Sequence, residues 1–406
     1  MLFLLLACSS GTGTDTADEA LTWYRDVKPI VDRSCVSCHQ EGGIAPFALD
    51  SYEAVSVLSS AVTSAVASRQ MPPWGADSSV QDYLDDRSLP QEEIDAILDW
   101  VDAGMPEGDP ADATEVAAEE LPSLSRVDAT IGMAGAYAPD FSTSPDEYRC
   151  FLIDWPLAEE AYVTGIDVHP GNDSIVHHVI AFLATPETVG TYAALDDADP
   201  GDGYACYGGP GGDTQAAWLG GWVPGKEASV MPEDTGIAVS PGSQVILQVH
   251  YNDSGEEGAS AKTDLDLQVE EDVVYPAGIQ PFTNPDWVDS GKMVIPAGAE
   301  GVSVTHTLSI PVDLRLYSGG MHMHTLGQSG RLWVERATGE VEWLVSVPSW
   351  DFSWQQSYWL QEPIDFNAGD KLGVECVYDN PGDGAVSWGE GTTDEMCLGL
   401  IYMAAR

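Results

Sequence analysis

The sequence predicts a multi-domain chain, a small all-α domain followed by two all-β, jelly-roll-like sandwich domains, and three observations carry that reading. The 406 residues exceed what one hydrophobic core usually serves. Helical periodicity is confined to the front, where "TWYRDVKPIVDRSC" and "QEEIDAILDWVDAGM" place Ile94, Ile97, Leu98 and Trp100 on one side. From about residue 126 onward the chain is a succession of short alternating runs, such as "AYVTGIDVH", "SIVHHVIAFLA", "SQVILQVHYN" and "KLGVECVYD". Turns between them draw on 41 Gly and 26 Pro. The boundaries that follow are a signal at 1–8, a linker at 9–21, the helical domain at 22–110, an acidic linker at 111–125, and sandwiches at 126–265 and 266–406.

The opening "MLFLLLACSS" is apolar but too short to span a bilayer as a helix, and it reads as the end of a secretion signal. "LLAC" resembles the lipobox of bacterial lipoproteins, which implies lipid attachment at Cys8 and an exported chain at the periplasm or cell surface. Membrane contact is then expected only through that anchor. No Lys or Arg precedes the apolar run, and a cleaved signal with an incidental Cys is the alternative. Of seven Cys, setting aside Cys8, Cys35 and Cys38 form a CxxC pair, and Cys150, Cys206, Cys376 and Cys397 remain. An even number of isolated cysteines in an exported chain reads as two disulfides.

Charge excludes one class of partner. The chain carries 66 Asp+Glu against 15 Lys+Arg, a net −51, and such a field repels nucleic acids and anionic membranes. A solvated acidic coat explains it. "DDADPGDGY" at 196–204 offers clustered oxygen ligands for calcium, without the spacing of an EF-hand loop.

Within 22–110, "CVSCH" (Cys35, Cys38, His39) is the CxxCH signature of covalent haem c, two thiols for the vinyl groups and a histidine for the iron. A zinc site would need a second ligand pair, and this stretch has no other Cys or His. Met71, held before two prolines in "RQMPPW", is the preferred sixth ligand, and Met105 is the alternative; either can equally be a packing methionine. The module resembles small single-haem cytochromes c, which implies electron transfer.

In the β region, His177 and His178 are adjacent in "SIVHHVIAFL", His250 ends "VILQVHYN", and His322 and His324 form the HxH of "GGMHMHTL". Residues i and i+2 of a strand share a face, so His322 and His324 stand side by side. His177 and His178 point to opposite faces unless a bulge intervenes, and one is expected there. Burying unpaired imidazole pairs on apolar strands is costly, which favours a metal. His169 and His306 read as ordinary polar side chains. Three imidazoles suit zinc or copper, and a thioether such as Met396 favours copper.

The order HH, a lone His in "LQVHY", HxH and then Met-Cys resembles the copper type II, ascorbate-dependent monooxygenases over roughly residues 126–406. That resemblance implies two copper ions, with His177, His178 and His250 on the electron-storing one. His322, His324 and Met396 would hold the one where oxygen reacts. It pairs Cys376 with Cys397 and Cys150 with Cys206. It implies a small-molecule substrate, O2, and an external reductant, ascorbate or an electron-transfer protein, with the fused haem as donor or relay. Peptide-acting members keep Arg, Asn and Tyr where this chain has Gly320, Leu398 and Leu400, so a peptide carboxylate is disfavoured and a neutral or cationic substrate expected. The competing readings are a non-catalytic electron-transfer or copper-binding surface protein, and a zinc-dependent exported hydrolase using Asp394 or Glu395 as base.

Overall fold

The structure, a computed structural model, describes residues 20–406 except 44, 119–120, 213–215, 225 and 390; Cys8 lies outside the described residues. Two units form: residues 1–72 with 87–120, and residues 73–86 with 121–406.

The first unit carries only short helices, the longest being Gln91–Asp102 at 12 residues. That helix starts behind Pro90, has Glu92 and Glu93 in its first turn, and buries Ile94, Ile97 and Trp100. Among the described residues the others are Trp23–Val27, Lys28–Ser34, Tyr52–Val57, Ser59–Ala67 and the single turn Pro110–Asp112. Trp23, Val27, Ile30, Val31, Val55 and Val66 join the Gln91–Asp102 face in one small apolar cluster.

This corrects the expected fold class. The protein is mostly β with a few short helices, and among the described residues no sizeable all-α, cytochrome-like domain is formed. One physical reason is visible at 73–86, which looked like the middle of the helical stretch. Its Ala76 and Tyr83 are instead buried in a β core with Phe366 and Tyr358. Tyr83 bridges to Leu360, and the Asp77 amide donates to the Ser346 carbonyl. Alternating aromatic and small residues without helical period are at home on a sheet surface, and the core there is the larger one.

The β-rich body agrees with expectation, but its strands are not two separate sheets in series. A 14-stranded sheet runs through it, alongside a four-stranded one made of Ala299–Ser309, Lys371–Asn380, Gly327–Glu335 and Val341–Val347. Continuity comes from Tyr275–Phe282, which pairs parallel with Thr235–Val239 and antiparallel with Leu398–Ala405. One core gathers Val163, Val179, Leu219, Val249, Tyr251 and Leu265, and the other Leu332, Leu344, Val374 and Ile401. Disulfides close Cys150 on Cys206 and Cys376 on Cys397. Both suit an exported chain. Among the described residues no helix is long and apolar enough to cross a membrane.

The calcium reading of 196–204 gives way to a different use of the same oxygens. The buried Arg149 guanidinium binds Asp199 at 3.1 Å and the Asp202 and Gly203 carbonyls at 2.9 and 2.7 Å. A protein cation already fills the place a metal would take.

Candidate metal centres

The first histidine cluster is built on the antiparallel pair Val176–Ala184 and Gln244–Asn252. Tyr251 opposes Val176 and His250 opposes His178, so the register slips at His177, where the expected bulge lies. With one extra residue in the strand, two adjacent imidazoles reach the same side as His250. His177 and His250 Nδ1 each lie 3.4 Å from His178 Nδ1. Ligand atoms of the three residues all fall within 4.8 Å of one another.

Outer contacts set the ring of His250. Its Nε2 lies 2.8 Å from Asp146 Oδ1, and a carboxylate only accepts, so Nε2 carries the proton and Nδ1 turns its lone pair on the cluster. Asn252 donates to the same oxygen at 2.8 Å. Burial opposes ionisation of Asp146, yet the hydrogen bonds from Asn252 and His250 win and hold its carboxyl below the usual range. Tyr148 stacks on His250 at 4.0 Å and 7°. Burial pulls the His250 imidazole down to about 4, against the Asp146 hydrogen bond. Burial also lowers His178, helped by the neighbouring imidazoles of His250, His177, His322 and His324. Three neutral nitrogens facing one another make a ready cation site.

The second cluster stands where the strand Leu314–His322 ends. This strand pairs Gly320 with Leu400 and His322 with Leu398. His322 Nδ1 lies 2.6 Å from Gln355 Oε1, and Gln355 Nε2 donates to the Phe352 carbonyl at 3.0 Å, which fixes the amide's orientation. His324 Nδ1 lies 3.0 Å from the Asp394 carbonyl. Both Nδ1 atoms therefore carry protons for these acceptors, and both Nε2 atoms are left with lone pairs. The two rings stand 5.2 Å apart. Burial lowers both imidazoles, His322 to about 4.

Glu395 ties the Met396 backbone to that of His324. Its buried carboxylate accepts from the amides of His324 at 2.9 Å, Leu326 at 2.6 Å and Met396 at 3.3 Å, so the HxH turn and the methionine share one anchor. Burial pushes Glu395 up to about 7, opposed by those three amides. Met396 is itself buried, and its carbonyl accepts from Tyr378 at 2.6 Å. Glu395 thus works as a structural clamp rather than the solvent-facing base a hydrolase needs.

Residues 287–405 match the family model described as "Copper type II ascorbate-dependent monooxygenase, C-terminal domain". That stretch is therefore similar to a copper monooxygenase domain. Among relatives, the chain is 26% identical to human DBH-like monooxygenase protein 1 over 64% of this chain and 44% of that protein. It is 24% identical to tyramine beta-hydroxylase of Caenorhabditis briggsae, over 70% of this chain and 50% of that one. It is 26% identical to rat peptidylglycine alpha-amidating monooxygenase, over 64% and 26%. The chain therefore spans half or less of the length of these relatives. The matched stretch contains His322, His324 and Met396; the first cluster lies ahead of it.

Of the remaining predicted positions, His169 pairs with Asp266 at 3.0 Å, and His306 lies between the Phe282 and Trp287 rings. In the helical unit Cys35 and Cys38 form no disulfide. The His39 amide donates to the Cys35 carbonyl at 2.9 Å, so a helical turn brings thiol and imidazole together. His39 Nδ1 lies 3.1 Å from the Phe47 carbonyl. That contact places a proton on Nδ1 and leaves Nε2 with its lone pair. Met105 packs against the apolar cluster there, whereas Met71 does not. Sequence reading missed Asp146, Gln355, Phe352 and the clamp role of Glu395, because each acts through a contact between distant segments.

Proposed function

We propose that the chain is an exported copper monooxygenase that hydroxylates a C–H bond of a small neutral or cationic molecule with O2. His177, His178 and His250 hold one copper through converging Nδ1 atoms. His322, His324 and Met396 hold the other through Nε2 and the thioether. The observation that carries this reading is the opposite use of the ring nitrogens in the two clusters, each set by its outer hydrogen bonds. Copper, when bound, supplies one-electron redox chemistry and oxygen activation. The chain's own residues keep the imidazoles neutral, aim their lone pairs, and hold the methionine beside the HxH turn.

The substrate class follows from what lies beside His322. Gly320 has no side chain, and a Cβ there would come within 3.1 Å of the Gln356 carbonyl and 3.2 Å of Ser357 Oγ, so no larger residue fits unshifted. Leu400 and Leu398 stand opposite Gly320 and His322. No charged fork is offered to a carboxylate. Burying a carboxylate there unpaired costs several kcal/mol, on the order of other unsatisfied buried charges.

Single electrons come from ascorbate or a protein donor, or from haem attached at Cys35 and Cys38 with His39 as axial ligand and Met71 as the second. Anchoring through a lipid on Cys8 completes the reading. The test is oxygen uptake and product formation by the copper-loaded chain with an uncharged aromatic compound, an aromatic amine and a glycine-extended peptide. The first two are expected to be hydroxylated and the peptide to be a poor substrate. Turnover of the peptide alone would overturn the substrate assignment. Haem-linked peroxidase activity on a denaturing gel, lost in Cys35→Ala with Cys38→Ala, tests the haem.

A further inference from the structure

The two clusters belong to different strand ladders, and one loop touches both. Residues 348–356 connect the strands Val341–Val347 and Ser357–Phe366. The Phe352 ring stacks on His177 of the first cluster at 5.9 Å and 26°, and meets His324 of the second edge-on at 6.1 Å and 86°. Both are favourable aromatic geometries. The same loop is latched to the second cluster at two further points. Trp350 Nε1 donates to the His324 carbonyl at 3.1 Å, and Gln355 binds His322 while also holding the Phe352 carbonyl. Asp351 tightens the turn by accepting from the Ser353 amide at 2.9 Å. The loop is thus fixed to the second cluster by hydrogen bonds and reaches the first through the Phe352 ring.

We propose that Phe352 is a positioning residue that sets the separation of the two metal centres, its ring filling the space between a histidine of each. The inference rests on the two-copper reading and adds to it the element that spaces the pair. A ring held from one side by hydrogen bonds and resting on the other by stacking defines a separation without joining the centres covalently. It also keeps water from part of the gap, since its flat faces leave no polar group for a solvent molecule to bind. Removing the ring frees the first cluster from its contact with the loop while leaving every metal ligand in place.

The experiment is pulsed electron paramagnetic resonance on the full chain loaded with Cu(II), reading the dipolar interaction between the coppers. Wild type is expected to give one narrow distance distribution. Phe352→Ala should broaden it and move it to longer separation with copper content unchanged, Phe352→Leu should fall between, and Phe352→Tyr should restore the wild-type distribution. Since Phe352 is half-exposed, the Leu variant keeps the comparison open if the Ala variant loses copper. A Phe352→Ala or Phe352→Leu distribution superimposable on wild type would overturn this inference and leave the two-copper reading standing. A wild type that takes up no copper would remove both.

Discussion

The two histidine clusters are made of the same side chain and differ in what surrounds it. The first sits near one end of a paired ladder, where a bulge at His177 and a carboxylate behind His250 bring three Nδ1 atoms together. The second sits at a strand end, where Nδ1 protons are spent on Gln355 and the Asp394 carbonyl and the Nε2 atoms face outward. A closed set of three nitrogens suits a metal that only changes charge; two nitrogens and a soft sulfur leave room for an incoming ligand. On the proposed two-copper reading, ring tautomers chosen by outer contacts separate storage from reaction.

Replacing ligands breaks this comparison most severely. Met396→Ala or His324→Ala should lower oxygen-dependent turnover by more than about 100-fold, beyond the loss typical of an outer partner. Metal analysis should show copper kept at the first centre. His250→Ala should do the reverse, keeping metal at the second. Loss of both metals after either change would mean one shared site.

Outer contacts come next. Asp146→Asn removes the carboxylate that orients His250 and should weaken copper at the first centre by about 10–100-fold, with the second unaffected, in a competitive copper titration. Glu395→Ala leaves three buried amides without an acceptor, at about 1–3 kcal/mol each. Denaturant unfolding should show that loss, and copper should weaken at the second centre alone.

Much of this architecture was legible before any coordinates. The bulge at His177 follows from strand period, whereas both disulfide pairings and the grouping of His177, His178 and His250 are implied by the family resemblance. What sequence did not reveal has a common physical origin. Residues 73–86 pack into a β core because of what they meet there, a property of Leu344 and Tyr358 rather than of their own pattern. Asp146, Gln355 and Phe352 lie 104, 33 and 175 or 28 positions from the histidines they touch, and nothing local marks them. Glu395 looked like a base because it is acidic, whereas its burial and its three amide donors make it a clamp.

Acidity sharpens the comparison more gently. In the metal-free protein, His250 and His322 have folded values near 4 against about 6.5 when unfolded. Between those values the unfolded chain binds more protons at these two groups, so their contribution to stability should fall as pH drops from about 6.5 to about 4, opposed by Glu395, whose raised carboxyl loses stability as pH rises toward about 7. Urea midpoints of wild type and His250→Gln across this range check the sign, the variant showing the shallower slope. The smallest effect is expected from Gly320→Arg, a steric cost of about 1–3 kcal/mol by thermal unfolding and no gain of peptide turnover, because the 3.1 Å approach to Gln356 turns the new side chain away.

The central claim is that two chemically different copper centres coexist in one chain, and stoichiometric copper titration read by electron paramagnetic resonance tests it most directly. Wild type should bind about two coppers with two superimposed signals, while His250→Ala and His322→Ala each retain about one and show different single spectra. A single site, identical spectra in the two variants, or binding of zinc in place of copper would contradict the account.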